Sequence, residues 1–374
     1  MSMNPPPTGH AVMADAFGNL TAKVLARLDA RFSPASVNEV LAVSAPSWSA
    51  ASGHSWLSSG AIYNSESPHL ERFRRRFREG LKGRATRCTW IGDSKTYGTW
   101  RDAVPYYVQD WTGARVGMIY AAPQDNRWNL VTGYAIAAGT QQYLAPDASS
   151  LHTAILTTDR AHTGFTLYGA ATAGGSVTVT VDGGAPQTWT VPAGNAWSGF
   201  TVDGLADATH VINVSTTAAV SLLGADMRYT TPGLAISNAA RNASTAAGWN
   251  ATGWNDLWTG ALAPGAPDLI IAGIGTNDPT NTAALDTLYD KLVATGKPVV
   301  MTAPGGLEVG DTARAAMVRY LYSIANRLDL PLIDYRAVIG TAEQATVFGL
   351  KRDTLHENER GYVLEARVTV SSLA

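Results

Sequence analysis

Three patterns of apolar spacing divide the chain. Leu70, Phe73, Phe77 and Leu81 recur at helical intervals, with Arg72, Arg74, Arg75, Arg76 and Arg78 between them, so residues 67–82 are predicted to be helical. Leu20, Val24, Leu25 and Leu28 predict a shorter amphipathic helix over Asn19–Phe32, and the Ser-, Ala- and Gly-rich run from Ser44 to Gly60 reads as linker. From about residue 135 to 230 the period changes to two. Val177, Val179 and Val181 alternate with Thr178 and Thr180, and a hairpin signal follows at Gly183–Gly184. Similar short runs begin at Thr153, Gly164, Thr209 and Ala219, which predicts an antiparallel, jelly-roll-like β-sandwich. The last third alternates. Apolar runs from Pro267, Pro298 and Pro331 read as strands, and Asn281–Thr295, Thr312–Leu328 and Glu359–Leu373 read as helices.

A β-α-β-α order of this kind predicts a parallel sheet covered by helices, and the run from Arg87 to Ile91 supplies an earlier strand of the same sheet. The organisation expected is an N-terminal segment over 1–65, an α/β domain in two parts over 66–134 and 231–374, and an inserted sandwich over 135–230.

Composition narrows the class. The chain has 374 residues, 45% hydrophobic and 16% charged, enough apolar material for more than one core. Its net charge of −2 gives no pull toward nucleic acid or acidic membrane. The arginines of 67–82 therefore read as a solvated helix face rather than a phosphate or polysaccharide patch. The single cysteine, Cys88, allows no internal disulfide, and the scattered histidines show no metal-ligand spacing, so neither metal nor cofactor is expected. No apolar run is long enough to span a membrane. The first residues lack the basic start and apolar run of a secretion signal, so a soluble product made in the cytoplasm is expected.

The candidate chemistry lies in three stretches. Ser94 follows a strand that ends near Ile91, at the carboxyl edge where open parallel sheets bind ligands. Asn277 follows the run LIIAGIG at the same predicted edge, and its amide could donate to an oxyanion. Asp353 and His356 are three residues apart, a spacing that puts both on one side of a helical turn. The imidazole could then face a serine with one nitrogen and the aspartate with the other. Each stretch alone fits an ordinary turn or helix cap. Their order and shared edge are more specific.

In these blocks the chain resembles the SGNH (GDSL-type) hydrolases: Gly92-Asp93-Ser94-Lys95-Thr96-Tyr97-Gly98, then Gly275-Thr276-Asn277-Asp278, then Asp353-Thr354-Leu355-His356. The resemblance covers roughly 85–115 and 230–374. It implies a three-layer, flavodoxin-like α/β domain with Ser94 as nucleophile, His356 as general base and acid, and Asp353 as its orienting partner. It also implies an oxyanion hole made by the Ser94 N–H, the Asn277 side chain and a second-block backbone N–H, with Asp93 and Gly275 as supports. The second block departs from the family. Ala243 stands where a glycine is usual, with Asn242 beside it.

The function implied is a serine esterase that hydrolyses short acyl esters, foremost O-acetyl, on a cell-surface polysaccharide. A weaker, architectural resemblance is to bacteriophage tail-fibre or tailspike esterases, which would make tail proteins or further copies of the chain its partners, and the virion tail its location. Two other functions compete. A lipase or thioesterase would need an apolar acyl groove, and no lid-like apolar segment is visible. A carbohydrate-binding adhesin on an esterase scaffold would need no working serine. Of the 11 tryptophans, Trp249, Trp254 and Trp258 could wall a sugar cleft, and Trp189 and Trp197 could form a platform on the sandwich; burial is the commoner fate.

Overall fold

A computed structural model of the chain describes residues 61–97, 104–121, 127–136, 143–240, 243–251, 266–307 and 311–373. The helix expected over Asn19–Phe32 lies outside the described residues. The α/β part opens with β1 (Ile62–Tyr63), α1 (Pro68–Leu81), β2 (Thr86–Gly92), α2 (Ser94–Tyr97), α3 (Val104–Thr112) and β3 (Arg115–Val116). Eleven strands follow: β4 (Met118–Tyr120), β5 (Trp128–Thr132), β6 (Tyr134–Ile136), β7 (Leu144–Pro146), β8 (His152–Thr157), β9 (His162–Ala170), β10 (Gly175–Val181), β11 (Gln187–Val191), β12 (Ser198–Ala208), β13 (Val211–Thr216) and β14 (Ser221–Arg228). The α/β part then resumes with β15 (Leu234–Asn238), α4 (Ala246–Trp249), β16 (Leu269–Gly273), α5 (Thr282–Ala294), β17 (Val299–Ala303) and α6 (Thr312–Arg327). It closes with β18 (Leu332–Asp334), α7 (Arg336–Ile339), α8 (Ala342–Val347) and α9 (Glu359–Leu373).

The first sheet has the order β1-β18-β17-β16-β2-β15-β3, parallel throughout except for β1 against β18. Its strands are apolar on both faces because both are covered. Along β2, Trp90 faces a core with Phe73, Phe77, Tyr107 and Tyr362, while Ile91 faces the opposite core with Leu285, Met317 and Leu321. Ile271 and Val300 join the first of these cores, Ile270 and Met301 the second. The strand period of two thus sorts neighbours between two helical layers. Helices α1, α3 and α9 supply one layer and α4, α5 and α6 the other. The starts follow local capping chemistry: Ser67, Asn281 and Asp311 accept from the backbone N–H of His69, Ala284 and Arg314.

Two antiparallel sheets form the sandwich, β11-β10-β13-β8-β5 against β12-β9-β14-β7-β6, with β4 added on β14. Inward residues such as Val177, Val179, Ile212 and Val214 meet Phe165, Leu167, Leu222 and Ala225 between the sheets. Its strands begin ahead of residue 135, since β4 and β5 already pair in these sheets. Apolar spacing missed β12, whose run carries Gly199 and Gly204 and several exposed polar positions, and it missed α3.

Gly117 joins the two parts. Its N–H donates to the Ile236 carbonyl of β15, and its carbonyl accepts from Met227 of β14. Next to it, the Met118 N–H donates to Ser237 Oγ at 2.8 Å. A Cβ at Gly117 would sit 2.4 Å from that hydroxyl oxygen. Gly117→Ala is therefore expected to destabilise the chain by about 1–3 kcal/mol in urea unfolding, since overpacking displaces a hydrogen-bonded neighbour. An unchanged midpoint and slope would refute the close fit.

Candidate active site

β2 is the strand at which the order of the sheet reverses, flanked by β15 and β16, so the loops after these three strands open at one edge. Ser94 follows β2 directly and starts α2. Asp93 is buried, and both of its carboxyl oxygens are used. Oδ1 accepts from the Lys95 N–H and Oδ2 from the Thr276 N–H, each at 3.0 Å. Burial pushes this carboxyl up, and the two backbone donors pull the other way. Asp93 thereby ties the serine turn to the turn after β16.

The loop after β15 is tied to both. Ser244 Oγ donates to the Gly92 carbonyl at 2.9 Å, and the Asn277 amide donates to the Ser244 carbonyl at 2.9 Å. Asp278 accepts from the Ala246 N–H at 3.1 Å, and burial pushes its carboxyl up against the pull of that donor and of Ala247. Gly275 has φ +134°, and a Cβ there would meet Met317 Sδ at 2.9 Å, so this position requires glycine. Ala243 is exposed with φ +57°, the left-handed conformation a glycine would adopt without cost. The backbone there has the shape a glycine would take, with an alanine in it.

The segment with Asp353 and His356 is a tight loop ahead of α9, not the helical turn the spacing suggested. Asp353 Oδ1 accepts from the N–H of Leu355 and of His356, at 2.8 and 2.7 Å. The Arg352 N–H donates to the His356 carbonyl, and Lys351 bridges Glu357 across the loop. Side-chain-to-backbone bonds of this type compete with a helix and here displace it. The result still brings the pair together. His356 Nδ1 lies 3.0 Å from Asp353 Oδ2, and Nε2 lies 3.0 Å from Ser94 Oγ. Partial burial pushes the Asp353 carboxyl up, but the N–H groups of His356 and Leu355 and the His356 ring outweigh it and hold it well below the usual carboxylate range. An ionised carboxylate, an imidazole and a hydroxyl in one line can take a proton from Ser94 and stabilise the imidazolium that forms.

The tryptophans divide differently from a sugar cleft. Trp249 is buried in a helical core and donates to Ser244 Oγ at 3.2 Å. Its bulk and one polar atom brace the second-block loop from inside. Trp189 is buried in the sandwich, stacked on Phe200, and Trp197 packs edge-on against Tyr143. Asn242, Trp254 and Trp258 lie outside the described residues. Ser244, which pattern reading passed over, is a junction of the site; a lone serine in a loop carries no signal of that role. The arginines of α1 are mixed. Arg72, Arg75 and Arg78 are exposed, while Arg74 donates to the Ser372 carbonyl and Arg76 pairs with Asp268.

No protein-family model matches the chain, and no curated protein matches its sequence. Solved structures do match in shape. A peptidoglycan O-acetylesterase superposes with a TM-score of 0.63 at 16% identity, covering 84% of this chain and 98% of that one. A family two carbohydrate esterase from Cellvibrio japonicus covers 69% of this chain and 98% of its own, at 15% identity and a TM-score of 0.26. An acetyl xylan esterase covers 38% of this chain and 82% of its own, at 16% identity and a TM-score of 0.30. The first likeness shows the fold, a parallel α/β sheet covered by helices with added antiparallel sheets.

Two outcomes follow from the site. Ala243→Gly is expected to raise unfolding free energy by up to about 1 kcal/mol, because glycine removes the left-handed strain; a loss of stability would overturn that account. The depressed Asp353 carboxyl contributes stability above its unfolded value of about 4, and that stability is lost as pH falls below it. Thermal unfolding of wild type and Asp353→Asn should differ by a constant amount above pH 5 and converge toward pH 2. A gap that widens on acidification would reverse the sign.

Proposed function

We propose that this chain is a serine esterase that removes short acyl groups, acetyl foremost, from a polysaccharide. The observation that carries the reading is the continuous line from Ser94 Oγ through the His356 ring to Asp353, each step at 3.0 Å. Ser94 Oγ attacks the ester carbonyl carbon as its proton passes to His356 Nε2. The carbonyl π electrons move onto oxygen, where the Ser94 N–H, the Asn277 amide and the Ala243 N–H are the donors we assign. Collapse of the tetrahedral intermediate expels the sugar alkoxide, which leaves as the alcohol with the proton from His356. Water then attacks the acyl-enzyme by the same route and releases acetate and free Ser94.

The Asn277 amide has two N–H groups, and the bond to the Ser244 carbonyl occupies one while orienting the other. The polysaccharide assignment is supported by the peptidoglycan O-acetylesterase that shares the fold. In this reading the sandwich braces the hydrolase and presents no tryptophan platform, since Trp189 is buried.

The test is hydrolysis of p-nitrophenyl esters from acetyl to octanoyl by wild type, Ser94→Ala and Asn277→Ala. Expected are a preference for acetyl, complete loss in Ser94→Ala, and a fall in kcat of about 10²–10³-fold in Asn277→Ala. A preference for octanoyl would favour a lipase. Equal activity in wild type and Ser94→Ala would end the serine mechanism, and no activity in either would favour a binding role.

A further inference from the structure

Beneath Ser94 and His356 lies a group of buried charges that the proton relay leaves unused. Lys95 follows Ser94 directly, yet its side chain turns inward and is 4% exposed. Its ammonium donates to both oxygens of Glu357, at 2.5 and 2.7 Å, and to the Leu355 carbonyl at 2.7 Å. Glu357 is fully buried. Lys351 donates to the same Leu355 carbonyl at 2.6 Å and to the Gly306 carbonyl at 3.2 Å, with its ammonium 3.6 Å from Glu357.

The Leu355 carbonyl and the His356 N–H belong to one peptide group. Two ammonium groups hold its oxygen, and the Asp353 carboxylate holds its N–H at 2.7 Å. Charge-assisted bonds are the strong ones, and a peptide held by them at both poles cannot rotate without breaking them. The His356 Cα is attached to that peptide. Lys95 is also one residue from the nucleophile, and its own N–H is fixed by Asp93. One side chain thus spans from the serine turn to the histidine loop, across 260 positions of sequence.

We propose that Lys95, paired with Glu357, is a positioning residue that sets the distance between Ser94 Oγ and His356 Nε2 by holding the Leu355 carbonyl. Buried ion pairs are poor sources of stability, because desolvation offsets their attraction, and what they supply here is a fixed geometry. The charge count selects the variant. Lys95 and Lys351 share Glu357 as their nearest carboxylate, with Asp93 near the first and Asp353 near the second. Glu365, also buried nearby, is pushed well above the usual carboxylate range by burial and by Glu357. Removing Lys95 leaves Lys351 and Glu357 as a matched pair, whereas removing Glu357 strands two cations.

The proposal rests on the serine-esterase reading, and the test separates the two. Wild type, Ser94→Ala and Lys95→Met are treated with a fluorophosphonate probe, in which Oγ displaces fluoride from phosphorus and the proton passes to His356. Wild type is expected to take one probe per chain at Ser94, and Ser94→Ala none. Lys95→Met is expected to label about 10²-fold more slowly, the scale of a misplaced reacting pair. On p-nitrophenyl acetate it should lose kcat by a similar factor with KM unchanged, since its ammonium is buried and already bonded to Glu357 and the Leu355 carbonyl. The rate constant is taken over the chains that label, so a partly unfolded sample still reports geometry. A rate constant equal to wild type, whether the endpoint is full or reduced, would restrict Lys95 to the fold and overturn the proposal with the esterase reading intact. An unlabelled wild type would overturn the esterase reading itself.

Discussion

Asp93 is buried, and the turns around it take the form that satisfies its carboxyl oxygens. A carboxylate buried without partners is too costly to keep ionised, so its surroundings must supply donors. Two backbone N–H groups do so, one from Lys95 after Ser94 and one from the turn after β16. Satisfying one side chain therefore fixes two loops against each other. Ser244 and Asn277 extend the same lattice to the loop after β15. Three loops that share only a sheet edge become one rigid surface, and the exposed residues Ala243 and Asn277 are carried on it.

His356 reaches this surface by a separate route. Its loop comes after the last strand of the sheet, and no strand register sets its height. The loop is instead closed on itself by the Asp353 carboxylate and anchored below by two lysines. Asp353 thus has two duties. It orients the imidazole through Nδ1, and it caps the backbone that carries the imidazole.

What the sequence disclosed depended on the range of the interaction. The strands of the parallel sheet were legible because a strand covered on both faces is a continuous apolar run, as in Leu269–Gly273. Helices α1, α5, α6 and α9 were legible because their stripes, and for α5 and α6 their caps, are local. Ser94, Asn277, Asp353 and His356 were legible as a pattern, but the local structure around Asp353 was not. A spacing of three fits a helical turn and a loop closed by an aspartate equally well, and only the donors decide. Ala243 stood out as a departure, while its backbone angle could be known only from the fold. The roles of Lys95 and Glu357 were invisible, because each depends on a partner brought in by the folded loop. Trp249 was open to two readings, cleft wall or core, because aromatic character says nothing about which way a helix faces; it lies in the core.

The placement of the sandwich bears on how the chain assembles. β2 and β15 are neighbours in the parallel sheet, yet the whole sandwich lies between them in sequence. Joining them from the unfolded state means closing a long loop, at an entropic cost that grows with its length. Within the sandwich, however, β4 pairs with β14, the first strand with the last. Once those two are zipped, the chain leaves the sandwich beside the point at which it went in, and the long loop becomes a short one. Pairing β4 with β14 before β2 meets β15 would thus shorten the loop that the central strands must close.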